Sequence, residues 1–305
     1  MTFSIVARCP QTGALGVAVS TAVPAVGAIC PYLRAGVGAV STQSWTNPYL
    51  ALDALAHLAH GMDAQLALDQ VLESDPAAHL RQIGIVDRAG RAASWTGSGC
   101  TGWAGQRTGA GYAIQGNMLT GAATLDAMVD AFEASHGAML AGRLMLALEA
   151  GQHAGGDKRG RQSAALKVVQ DEAYAQWDLR VDEHADPVAE LRRVFGVAQQ
   201  QFAPFVAGMP TREDPGRAPL PDVMELLLTP PGLRPGASHA ERSQEEWTRL
   251  AEWMGVALTA DRARHNLDAY RAILAEIRTL RELDGSALHP AVVFDPLQAY
   301  RTLAS

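Results

Sequence analysis

The order of apolar runs constrains this chain more than any other feature. Thr2 to Cys9 is a short apolar run, Gln11-Thr12-Gly13 a turn, and Ala14 to Ser20 a second buried run, which together predict a β-hairpin. Gly36 to Gln43 predicts a third strand. Leu50, Leu52, Leu55 and Leu58 then recur at helical spacing over Pro48 to His60, and a second helix is expected over Asp63 to Glu73. Strands return at Arg81 to Val86, Arg91 to Trp95 and Gly111 to Asn117. Helices follow over Thr124 to Ala134 and Ala138 to Ala150, then strands over Ala164 to Val169 and Trp177 to Val181, then a helix from Pro187 to about Gln200. Strands and helices come in groups, which argues against a doubly wound parallel sheet. Strands buried on both faces suit two stacked sheets with helices outside. The expected class is α+β, a four-layer α/β/β/α sandwich.

Beyond this pattern the character of the chain changes. Pro204, Pro210, Pro215, Pro219, Pro221, Pro230, Pro231 and Pro235 mark 204–240 as a Pro-rich linker, with a helical turn or two at Asp222 to Leu228. Glu241 to Met254 and Asp261 to Leu283 carry helical periodicity. The expected organisation is a main domain over 1–203, the linker over 204–240 and a helical hairpin domain over 241–305.

Composition removes several classes of function. A net charge of −7 argues against nucleic-acid binding. Cys9, Cys30 and Cys100 lack paired spacing, so neither a disulfide framework nor a zinc site is expected. No basic leader opens the chain, and no apolar run reaches the roughly 20 residues that span a bilayer. A cytoplasmic protein without membrane contact is expected.

Polar clusters interrupt the apolar framework. Gly155-Gly156-Asp157-Lys158-Arg159-Gly160-Arg161-Gln162-Ser163 stands directly before an apolar strand. It is either an exposed charged loop or a site, in which the arginine forks bind a carboxylate and glycines let backbone approach a ligand. Gln115-Gly116-Asn117-Met118 ends a strand; its amides either serve turn chemistry or donate to a developing oxyanion. Ser41-Thr42-Gln43-Ser44-Trp45 is a similar polar strand end. The glycine-rich stretch from Gly97 to Gly105 lacks the form of a dinucleotide fingerprint.

The start of the first strand carries chemistry of its own. Removal of Met1 would leave Thr2 with a hydroxyl and a free α-amine on one residue. Such an amine has a pKa of about 7.7–8.0 and can act as base for its own hydroxyl. The alternative is that Thr2 merely follows the initiator.

Thr2 to Arg8, Gly16 to Ser20, Pro24 to Ala28, Gln115 to Leu119 and Gly155 to Ala164 together resemble the DUF1028 family over about residues 1–200. The resemblance implies a fold like that of the N-terminal-nucleophile (Ntn) hydrolases, whose nucleophile opens a strand at the head of the mature chain. Thr2 matches that position. Ser4, on the same face of the strand, ranks second, since it could be the reactive hydroxyl only if three residues were removed ahead of it. Gln106 stands where the family pattern leads us to expect histidine. Trp247 to Val256, Asn266 to Tyr270 and Leu280 to Pro290 resemble GatC- or AtzG-type small subunits, which wrap around an amidase-signature enzyme.

These resemblances imply an amidohydrolase acting on a small amide, ureido or imide compound. Thr2, Ser4, Asn117, Asp157 and Lys158 form the expected catalytic set. Gln43, Gln115, Gly116, Arg159, Arg161, Gln162 and Ser163 form the expected substrate-binding set. No metal or organic cofactor is required. A GatA- or AtzE-like amidase and a second copy of the chain are the expected partners. The rival reading is a catalytically silent scaffold that stabilises an amidase.

Overall fold

The computed structural model describes residues 2–231 and Arg234. The chain divides into two compact units, Met1–Ala237 and Ser238–Ser305. The helical hairpin expected over 241–305, and the docking role tied to it, lie outside the described residues.

The first unit runs β1 (Thr2–Arg8), β2 (Leu15–Thr21), β3 (Pro31–Arg34), β4 (Gly38–Ser44), α1 (Pro48–Ala59), α2 (Ala64–Ser74), β5 (Arg81–Asp87), β6 (Ala92–Thr96), β7 (Trp103–Gly109) and β8 (Tyr112–Leu119). It continues through α3 (Ala123–Ala134), α4 (Leu140–His153), β9 (Ser163–Val169), β10 (Trp177–Val181), α5 (Pro187–Gln201), α6 (Ala203–Ala207) and α7 (Pro221–Leu228). The strands form a six-stranded sheet in the order β10-β9-β2-β1-β8-β7 and a four-stranded sheet in the order β3-β4-β5-β6. Every pairing is antiparallel.

The two sheets pack face to face. Helices α3, α4 and α5 cover the larger sheet, and α1 and α2 cover the smaller one. This is the four-layer α/β/β/α order expected from the sequence. Each layer boundary follows from strand alternation. Phe3, Ile5 and Ala7 of β1 face the helices, where they join Met128, Leu144 and Leu148. Val40, Ile83 and Ile85 do the same beneath Leu50 and Leu68 on the other side. Helix starts agree with the local chemistry: Asn47 and Asp63 cap α1 and α2 with side-chain acceptors, and Pro48 takes the first helical turn.

Two strands and one short helix go beyond the sequence reading. β3 is four residues long and partly exposed, so it has little apolar alternation to read. β7 falls in Trp-Ala-Gly-Gln-Arg-Thr-Gly, whose glycines and polar residues look like loop. It forms because β8 supplies a partner edge, with a register shift between Trp103 and Gly105. α6 lies in the first part of the segment expected to be linker.

The layer between the sheets is divided. Val6, Leu15, Val17, Ala39, Val86 and Ala113 fill one end. Amides and hydroxyls fill the other.

An ion pair braces that polar end. Asp75 accepts from Arg81 Nε (2.8 Å), Ala77 N (2.9 Å) and Asn47 Nδ2 (3.3 Å). Its carboxyl is held below the ordinary aspartate range, chiefly by Arg81. A folded pKa below the unfolded one adds stability above the unfolded pKa that is lost as pH falls through the folded one. An Asp75→Asn variant is therefore expected to lose about 2 kcal/mol at neutral pH. The difference from the wild type should shrink below pH 4 in denaturant melts; a constant difference would exclude this role.

Candidate active site

β1 has neighbours on both sides, and the register brings separate polar segments into one row. Thr2 pairs with Thr21 of β2 and with Asn117 of β8. Thr21 in turn pairs with Ser163 of β9. Cross-strand partners share a face, so Ser163, Thr21, Thr2 and Asn117 lie side by side across β9, β2, β1 and β8. The hydroxyls of Thr2 and Thr21 are hydrogen-bonded at 3.1 Å. Thr2 is buried, with 6% of its surface exposed.

The loop from Gly155 to Gln162 closes over the end of this row. Gly155 (φ 116°) and Gly156 (φ 52°) take left-handed conformations that turn the chain out of α4, which other residues adopt only with strain. Asp157 bridges to Leu119, and Lys158 N donates to Met118 O at 3.5 Å. The Asp157 carboxylate accepts from Ala22 N (3.2 Å), Arg159 N (2.8 Å) and Arg159 Nη2 (3.3 Å), tying the loop to the chain just past Thr21. Lys158 Nζ lies against Gly102, where an added Cβ would stand 3.2 Å from it. Gln162 N donates to Thr21 O at 2.8 Å. Ser163 Oγ donates to Val23 O (2.6 Å) and accepts from Val26 N (3.1 Å). The structure thus gathers Thr2, Asn117, Asp157, Lys158, Arg159, Gln162 and Ser163 at one end of the sandwich.

Other expected site residues are placed elsewhere. Arg161 pairs with Asp186 at 3.3 Å, beside the start of α5, so its guanidinium is committed to a surface ion pair. Ser4 is fully buried; its hydroxyl donates to Gln43 Oε1 (2.7 Å) and accepts from Ser41 Oγ (3.0 Å) and Gln115 Nε2 (2.6 Å). With residues 2 and 3 in place this hydroxyl is enclosed by side chains, so Ser4 acts here as part of the polar layer behind Thr2. Gln43 and Gln115 are likewise fully buried between the sheets and support the site rather than line it. Gly116 sits inside the ladder opposite Phe3 and Gly105, where a Cβ would strike Leu119.

Beneath the row runs a hydrogen-bonded amide network centred on Gln82, which the sequence reading passed over. Gln82 Oε1 accepts from Gln43 Nε2 (2.8 Å) and Asn117 Nδ2 (2.9 Å). Its Nε2 donates to Thr96 Oγ1 (2.9 Å), Gly105 O (3.1 Å) and Gly116 O (2.8 Å). Gln43 Nε2 also reaches Thr2 O at 3.2 Å, so the network holds both the backbone of Thr2 and the side chain of Asn117. Gly84 leaves the space that the Gln115 amide occupies. Gln106 extends the chain of bonds, accepting from Thr96 Oγ1 (2.7 Å) and donating to Ser94 O (2.7 Å). None of the side-chain polar atoms of Ser4, Gln43, Gln82 and Gln115 is buried without a partner. That satisfaction is what lets amides replace a packed apolar core here.

Backbone strain collects at the same end. Ala25, Ser44 and Met118 are non-glycine residues with positive φ (57°, 69° and 51°), each on a segment that leaves or ends a strand beside the row. Left-handed conformations cost such residues of order 1 kcal/mol or more and cluster where geometry matters for function. No residue type in the sequence announces them.

The sequence profile described as "Family of unknown function (DUF1028)" matches residues 2–191. The chain belongs to the DUF1028 family. The crystal structure of a Silicibacter pomeroyi protein assigned to DUF1028 is 32% identical, with a TM-score of 0.66 over 72% of this chain and 96% of that one. Anbu (ancestral beta-subunit) from Yersinia bercovieri aligns at 9% identity and a TM-score of 0.34, covering 68% of this chain and 98% of that one. A Gly-1 mutant of Anbu from Hyphomicrobium sp. strain MC1 aligns at 13% and 0.34, covering 66% and 96%. No curated protein matches the chain. Among the described residues of this DUF1028 protein, no helix is long and apolar enough to cross a membrane.

Proposed function

We propose that this DUF1028 protein is a hydrolase of small amide, ureido or imide compounds, with Thr2 as nucleophile once processing frees its α-amine. The observation that carries the reading is the row in which Thr2 stands between Thr21 and Asn117 under the Asp157–Arg159 loop. A four-layer sandwich with the candidate nucleophile opening an interior strand also fits the Ntn-hydrolase arrangement. Thr2 Oγ1 attacks the carbonyl carbon, and its proton passes to the α-amine. The amine returns that proton to the leaving nitrogen as the C–N bond breaks, and water releases the acyl group. Asn117 Nδ2 spends one N–H on Gln82 and has a second for the developing oxyanion. Arg159, anchored by Asp157, offers a guanidinium to a substrate carboxylate. In this reading Lys158, on the same loop with its Nζ against Gly102, is the cation assigned to favour the amine's neutral, basic form.

Two measurements test the reading on the purified full chain. Intact mass should lack Met1, and a β-lactone electrophile should add one acyl group that peptide mapping places on Thr2. A retained Met1, or an acyl group elsewhere, would reject it. The burial of Thr2 favours the second reading, a catalytically silent subunit that stabilises an amidase-signature partner through residues 241–305. Under that reading the chain co-purifies with such an amidase and takes up no acyl group. Assembly into homo-oligomers is compatible with both readings, and sedimentation velocity would measure it.

A further inference from the structure

The far end of β1 carries a second feature that the Thr2 chemistry does not use. A cavity of about 400 Å³ is lined there by Arg8, Tyr112, Phe132, Glu133, His136 and Arg143, among others. Arg8 is the last residue of β1 and Thr2 the first, so the cavity lies on the order of 20 Å from the row described above.

Arg143 is the unusual member. It sits on α4 with 6% of its surface exposed, and among the described residues no carboxylate pairs with it. Its Nη2 donates to Phe132 O at 2.9 Å, and its guanidinium carbon stands 3.9 Å from the centroid of the Phe132 ring. Its Nε is buried without a partner, and so is Arg8 Nε. A guanidinium removed from water without a counter-charge is costly, by several kcal/mol, unless something compensates it. The cation–π contact returns only a part of that.

The remaining groups define what would fit. Glu133 accepts from Tyr112 Oη at 2.6 Å. Burial, with Glu133 beside it, pushes the Tyr112 hydroxyl up to about 12, so it stays a donor at neutral pH. Two guanidinium groups against one carboxylate leave a single positive charge in the lining. Phe132 and the Tyr112 ring supply an apolar wall. A volume of this size takes a molecule as large as an aromatic acid, within the range of small-molecule sites.

We propose that this cavity is a binding site for a small monocarboxylate with an apolar body, its carboxylate received by Arg143 and Arg8. Guanidinium groups present parallel N–H donors that match the two oxygens of a carboxylate.

Calorimetric titration of the full chain with phenylacetate tests this, with phenylacetamide as the uncharged isostere. Phenylacetate is expected to bind at one site, and phenylacetamide at least tenfold more weakly. Arg143→Met and Arg8→Gln should each weaken phenylacetate by about 10- to 100-fold, the worth of one charge-assisted hydrogen bond. Thr2→Ala should leave it unchanged, which separates this cavity from the Thr2 row. Absence of phenylacetate binding would overturn the proposal. So would equal affinity for acid and amide, tighter binding of inorganic phosphate, or arginine variants that bind like the wild type. If Arg143→Met fails to fold, Arg8→Gln at the more open side decides the matter.

Discussion

A Gln82→Ala variant is expected to melt roughly 10 °C below the wild type. Gln82 accepts from two buried amides, shares its two N–H groups among three oxygens, and is itself fully buried. Truncation removes the acceptor of Asn117 Nδ2 and the shortest of the three acceptors around Gln43 Nε2, takes a side-chain donor from the carbonyls of Gly105 and Gly116, and opens a cavity between the sheets. Each buried polar group left unpaired costs about 1–3 kcal/mol, and partial rearrangement limits the total to about 3–5 kcal/mol. At 2–4 °C per kcal/mol for a unit of this size, the shift is about 10 °C. Ser94→Ala removes one hydroxyl whose main bond is to Ile83 O and serves as the mild comparison, at about 1 kcal/mol. Thermal scans of both variants decide it. A Gln82→Ala midpoint within 2 °C of wild type would mean that the sheets do not depend on the amide network.

The other large effect concerns Thr2. Under the proposed chemistry, Thr2→Ala should reduce hydrolysis of small amide and ureido compounds, read as released amine or ammonia, by about 10⁴-fold or more. That is the scale seen when a nucleophile is deleted from an enzyme that works through a covalent intermediate. The fold should survive, because among the described residues the lost hydroxyl bonds only to Thr21 Oγ1, and alanine keeps the backbone contacts to β2 and β8. Thr2→Ser keeps hydroxyl and amine together and should retain measurable turnover. Equal turnover in Thr2→Ala and wild type, with an unchanged circular dichroism spectrum, would dismiss Thr2 as nucleophile.

Much of the fold was legible because its strands and long helices carry strong periodicity. β1, β2, β5 and β9 are apolar runs bounded by turns, and α1 to α5 show repeating apolar faces. β3 and β7 were not legible, since neither has an alternating apolar face; they form only because a neighbouring strand offers an edge. The candidate site was half legible. Polar residues at the ends of otherwise apolar strands pointed to Asn117 and Ser163, and the glycine-flanked charges pointed to Asp157. Pairing partners were not readable, so Thr21 at the end of β2 went unnoticed. Gln82 looked like one polar residue in an apolar strand, and only the face-to-face packing of the sheets makes it central. Side-chain direction was the other gap. Arg159 and Arg161 stand two residues apart, yet Arg159 turns back to Asp157 while Arg161 reaches Asp186.

The divided layer between the sheets implies unequal cohesion along the sandwich. Where Val6, Val17 and Val86 meet, admitting solvent would wet methyl groups, with nothing gained in exchange. Where Gln43, Gln82 and Gln115 meet, each incoming water can replace a broken amide contact nearly one for one. Thermal parting of the two sheets is therefore cheapest at the threonine end, like a clasp whose spring lies at the opposite side. Such breathing would let a hydroxyl that is enclosed at rest become reachable without unfolding the molecule. Backbone amides of β1 near Thr2 would then exchange with heavy water sooner than those near Arg8, although both belong to one strand.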